Sequence, residues 1–122
     1  MHRKQYQLLS LSLLLTLISC ESIVGTDGIV VDQSTGERIS GVIVKMTSNE
    51  GNETEVTNTK GYFNVTKFYN CGFSSCDSNY KIKFSKPGYE DKIINEDFDQ
   101  SSEAEYTTPP HKDTLIIKLT GF

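Results

Sequence analysis

Tyr80-Lys81-Ile82-Lys83-Phe84 alternates without a break between apolar and cationic side chains. Successive side chains of a strand point to opposite faces, so Tyr80, Ile82 and Phe84 share one face and Lys81 and Lys83 the other. That is the signature of a half-buried strand with a wet, cationic side. The pattern recurs upstream in Ile39 to Thr47, where Val42, Val44 and Met46 share a face and Ile43 and Lys45 the opposite one. Downstream, Pro87-Gly88 turns the chain into a run from Tyr89 to Ile94, and Leu115, Ile117 and Leu119 align in the run from Thr114 to Leu119. Three more runs complete the set: Gly28 to Val31, Glu53 to Thr57 and Tyr62 to Thr66, the last with Phe63 and Val65 on one face. Glu53 to Thr57 is polar and β-branched, which suits an exposed strand. Polar turns separate the runs at 32–37, 49–52 and 58–61. Seven short strands at regular spacing, with no 3.6-residue apolar period between them, predict an all-β, seven-stranded antiparallel β-sandwich. Its expected core is Ile39, Val42, Val44, Phe63, Val65, Ile82, Phe84, Leu115 and Ile117.

Composition supports one domain of this class. The chain has 122 residues, enough for a single small core. Seven of its nine Leu lie within residues 1–19, and the remainder holds seven Val, nine Ile, two Leu and one Ala. A helical bundle draws on Leu and Ala, so an all-α body is excluded. The net charge of -4 is modest and mixed in sign, which fits neither a basic nucleic-acid binder nor an acidic mimic of DNA.

The opening residues, MHRKQYQLLSLSLLLTLISC, read as an address. His2, Arg3 and Lys4 form a cationic start, and the apolar run from Leu8 to Ile18 is shorter than the roughly 20 residues of a membrane span. Residues 1–19 are therefore expected to be a signal peptide. Leu17-Ile18-Ser19-Cys20 resembles the bacterial lipobox. That resemblance implies acylation of the Cys20 thiol, cleavage just before it, and a further acyl group on the new amine. Two or more chains of the palmitate type hold a protein on a bilayer stably, whereas one does not. The expected organisation is residues 1–19 as lipoprotein signal, 20–25 as lipidated tether and 26–122 as the sandwich. The expected location is the bacterial cell envelope, with the membrane reached through the lipid anchor.

Cys71-Gly72-Phe73-Ser74-Ser75-Cys76 is the most unusual local feature. An exported chain lives in an oxidising compartment, which favours a Cys71–Cys76 disulfide. A redox pair would more often be spaced C-x-x-C, and a metal site would need two further ligands, with His111 the one histidine at hand. Glu96, Asp97, Asp99, Glu103, Glu105 and Asp113 crowd a long polar segment but match no defined calcium loop. Asp32, Ser34 and Glu37 also bear oxygens, though a turn accounts for them. Phe68, Tyr69 and Phe73 would form an aromatic patch suited to a partner if exposed. No catalytic residues, metal or cofactor are expected. With His111 as the one histidine after residue 19, a Ser-His-Asp triad has little to stand on.

The ordered set Gly28-Ile29-Val30-Val31-Asp32, Ser34-Thr35-Gly36-Glu37-Arg38-Ile39-Ser40-Gly41-Val42-Ile43-Val44, Thr57, Thr59-Lys60-Gly61-Tyr62-Phe63-Asn64-Val65, Tyr80 to Phe84 and Pro87-Gly88-Tyr89 resembles the carboxypeptidase regulatory-like domain. The resemblance covers about residues 26–95. It implies a Greek-key, transthyretin-like (prealbumin-like) sandwich without catalytic activity of its own. Arg38-Ile39 departs from the Pro-Leu often found there, and the Cys-bearing insert from Phe68 to Asn79 is a larger departure. The resulting expectation is a lipid-anchored binding module with a protein or glycan partner. Two alternatives stand beside it: a surface subunit assembling by strand addition, and a metal-dependent accessory enzyme using His111.

Overall fold

The computed structural model describes residues 21–71, 77–107 and 114–122. They form ten strands: β1 (Glu21–Val24), β2 (Asp27–Asp32), β3 (Ile43–Ser48), β4 (Asn52–Val56), β5 (Tyr62–Asn64), β6 (Lys67–Asn70), β7 (Tyr80–Ser85), β8 (Lys92–Asn95), β9 (Glu105–Tyr106) and β10 (Leu115–Leu119). One 3-10 turn, Phe98–Gln100, precedes β9. Two four-stranded sheets, ordered β5-β2-β10-β9 and β4-β3-β7-β8, make an all-β sandwich, and β1 pairs with β6 in a separate ribbon.

The alternation in the sequence becomes the register of the second sheet. Val44 lies opposite Phe84 and Met46 opposite Ile82, while Ile82 in turn faces Ile94 across β7 and β8. These five side chains are buried, and Lys45, Lys81 and Lys83 project to water. The first sheet supplies Val30, Phe63, Leu115, Ile117 and Leu119 to the same core. The two layers meet where the Phe63 ring packs edge-on against Phe84, with centroids 5.1 Å apart and planes at 77°. Such edge-to-face pairs add about 0.5–1.5 kcal/mol beyond their buried area. All nine core residues expected from the sequence are buried, and Val24, Val30, Met46, Ile94 and Leu119 join them.

Two features differ from the expected architecture. First, β10 runs parallel to β2, with Leu115 opposite Gly28 and Leu119 opposite Asp32. The physical reason lies in Ile29-Val30-Val31, which do not alternate and are all buried. A strand covered on both faces reads as a continuous apolar run, the signature of a central strand in parallel pairing. Second, the seven expected strands are joined by β1, β6 and β9. The stretch expected as a tether contains β1, and Val24 within it is fully buried.

Backbone geometry fixes two joints. Gly25 has φ of +99°, and a Cβ there would stand 2.2 Å from the Val65 carbonyl oxygen, so the β1–β2 link requires glycine. Thr57, just past β4, is the one buried polar side chain among the described residues. Its hydroxyl donates to the Ile39 carbonyl at 2.8 Å and accepts the Val42 N–H at 2.9 Å. Its backbone adds the bonds Thr57 N–H to Val42 O at 2.9 Å and Gly41 N–H to Thr57 O at 3.0 Å. The strand expected to be exposed thus ends in a buried clasp that aims Val42 into the core.

Candidate functional site: a polar cleft at one end of the sandwich

Three separate stretches converge at the end of the second sheet where β3 and β8 finish and β7 begins. The register sets Ser48 opposite Tyr80 and Lys81 opposite Asn95. Between them lies an open cleft of about 440 Å³. Thr47, Ser48 and Asn49 line it where β3 ends, Asn79, Tyr80 and Lys81 where β7 begins, and Asn95 and Glu96 where β8 ends.

The cleft wall is held by short-range polar contacts. Ser48 Oγ donates to the Gly51 carbonyl at 2.6 Å and accepts the Gly51 N–H at 3.1 Å, closing the β3–β4 turn. Asp77 Oδ2 accepts the Asn49 side-chain amide at 2.6 Å, and Asp77 Oδ1 accepts the Asn79 N–H at 2.9 Å. Those bonds, the Asn79 N–H first and the Asn49 amide second, hold the Asp77 carboxyl below its ordinary value. Glu96 Oε2 accepts the Tyr80 N–H at 3.1 Å. Burial pushes the Tyr80 hydroxyl up to about 12, with smaller contributions from the charges of Asp99 and Glu96 and from Tyr106. Tyr80 is therefore neutral at any physiological pH. Residues bearing amides, hydroxyls, a carboxylate and an ammonium line one open space, so the cleft has both donors and acceptors at its border for a polar ligand.

The residues singled out in the sequence lie elsewhere for the most part. Cys20 lies outside the described residues, one position before β1. Cys71 sits half-buried just past β6, its Sγ 3.7 Å from Glu50 Oε2, and Cys76 lies outside the described residues. Phe73, His111 and Asp113 lie outside them as well. Among the described residues the acidic segment does not converge: Glu105 pairs with Lys118 at 2.9 Å, Asp97 precedes the 3-10 turn, and Glu96 serves Tyr80. Among the described residues no group of three or more His, Cys, Asp or Glu could hold a metal ion.

Asp32 organises its own turn. Its Oδ1 accepts the N–H groups of Ser34 at 2.7 Å and Thr35 at 3.1 Å, and its Oδ2 accepts the Tyr89 hydroxyl at 2.8 Å. The Tyr89 bond, followed by those to Ser34 and Thr35, holds Asp32 below the usual carboxylate range. In the aromatic patch, Tyr69 packs against the core and lies over Gly51, while Phe68 is 65% exposed. Asn49, Asn79 and Asn95 were not legible as a site, because each reads alone as a turn residue and only the strand register brings them together.

No family model matches the sequence, and no curated protein matches it. Among solved structures, a 3-chlorocatechol 1,2-dioxygenase from Rhodococcus opacus 1CP is similar at a TM-score of 0.48 and 14% identity over 84% of this chain. The chain spans 60% of that protein's length. A likeness of that size bears on neither family nor activity.

Proposed function

We propose that this chain is a non-catalytic binding module of the bacterial envelope, held on the membrane by acyl chains on Cys20, whose polar cleft takes a glycan. The observation that carries the reading is the convergence of Asn49, Asn79, Tyr80, Lys81, Asn95 and Glu96 around one open groove. Sugars present closely spaced hydroxyls that both donate and accept, and amide side chains answer both needs. The lipobox-like Leu17-Ile18-Ser19-Cys20 supports the anchoring, and the ordered turns supports membership among carboxypeptidase regulatory-like, transthyretin-like domains. A disulfide between Cys71 and Cys76 belongs to the same reading, because an exported chain folds under oxidising conditions.

Titration of envelope glycan fragments into the purified protein tests it. Binding should weaken about 2–13-fold in Asn95→Ala, the loss of one hydrogen bond of about 0.5–1.5 kcal/mol. Binding of a glycan that Asn95→Ala and Lys81→Ala leave untouched would remove the cleft from the account. Polymers that grow with protein concentration would point instead to assembly by strand addition.

A further inference from the structure

The β1–β6 ribbon shows one face to the core and another to water. Val24 is fully buried, and Tyr69 on the neighbouring strand packs against the core. On the opposite face Ile23 and Phe68 are direct cross-strand partners, 57% and 65% exposed. Cross-strand neighbours lie about 4.5–5.5 Å apart at Cβ, so the two side chains form one apolar patch. β1 begins at Glu21, the residue after Cys20. Consecutive Cα atoms are about 3.8 Å apart, so Cys20 is joined to the ribbon with no intervening residue.

We infer that the Ile23–Phe68 face of the ribbon lies on the lipid bilayer, fixing the orientation of the sandwich on the membrane rather than letting it swing on a leash. The inference rests on acylation of Cys20. Ile23 is three positions from that residue, about 10 Å along an extended strand. Amphipathic surfaces bury their apolar side about 5–10 Å into the headgroup and acyl boundary, so a ribbon lying flat reaches that layer. A second copy of the chain is a poor occupant, because two side chains fall far short of the roughly 800 Å² per partner of a stable interface.

The chain has no Trp, which makes a single reporter possible. Mature acylated protein carrying Phe68→Trp is placed in phosphatidylethanolamine and phosphatidylglycerol vesicles with brominated acyl chains. Phe122→Trp serves as control: Phe122 is 91% exposed at the far end, where its N–H donates to the Gly88 carbonyl of the β7–β8 turn. The expected result is a blue-shifted emission, quenched by bromine, at position 68 and an unshifted, unquenched emission at 122. A clickable fatty acid on Cys20 reports acylation separately. Label present with position 68 unquenched overturns the orientation and leaves the anchor standing. Label absent overturns both. A blue shift that follows protein concentration and ignores bromine assigns the patch to a second copy and also overturns the inference.

Discussion

Replacing Thr57 with Val tests how the sandwich is closed. The two side chains have nearly the same shape, so no cavity forms and the change acts through hydrogen bonds alone. In the native protein the Thr57 hydroxyl satisfies the buried Ile39 carbonyl and the buried Val42 N–H. Val serves neither. An orphaned buried backbone group costs about 1–3 kcal/mol, and the added methyl returns roughly 0.8 kcal/mol. With two groups orphaned, the net loss is about 1–5 kcal/mol. Thr57→Ser keeps both bonds and loses one methyl, a cost of about 1 kcal/mol. With no Trp to follow, urea unfolding is best read by far-UV circular dichroism. The midpoint should fall for both variants with the slope unchanged, and further for Val. In thermal melts each kcal/mol corresponds to roughly 4–8 °C for a domain of this size. A Val variant as stable as the Ser variant would refute the clasp, and would mean that water or a relaxed backbone satisfies those groups.

Two other substitutions probe separate parts of the molecule. Gly25→Ala must place a Cβ 2.2 Å from the Val65 carbonyl oxygen at φ of +99°, whereas Gly36→Ala at φ of +74° meets nothing within 4 Å. Gly36→Ala should cost only about 1–2 kcal/mol of left-handed backbone strain, and Gly25→Ala clearly more, measured as the difference in urea midpoints. Tyr89→Phe removes the largest cause of the lowered Asp32 carboxyl. A carboxyl lowered by folding contributes stability that is present above its unfolded value and lost as pH falls through the folded one. Tyr89→Phe should therefore raise the Asp32 midpoint toward its ordinary value in an NMR titration and shrink that acid-side contribution. An unmoved midpoint would assign the shift to the Ser34 and Thr35 N–H groups instead.

Much of the core was legible because a period of two leaves little freedom: Ile82 and Phe84 cannot be buried without exposing Lys81 and Lys83. Ile29-Val30-Val31 was legible as a strand but not in its partner, since a continuous apolar run states only that both faces are covered. Thr57 misled for a different reason. Its neighbours Glu53, Thr54 and Glu55 are polar, and nothing local distinguishes a hydroxyl turned to water from one clasping a distant loop. β1 and β6 escaped because each is short, and the face they form exists only when Ile23 meets Phe68. The cleft is of the same kind, a product of register between turns far apart in the chain.

The parallel pairing of β2 with β10 sets residues 28–32 beside residues 115–119, more than eighty positions apart in the chain. A nascent chain that has emerged only as far as residue 107 leaves Val30 and its neighbours with an open edge, since Ile117 has yet to arrive. Contacts between such distant segments form slowly, because loop closure must precede any reward. Until residues 115–119 arrive that edge is free to pair with any other strand, so the half-made sheet is the stage at which this chain is most open to mispairing.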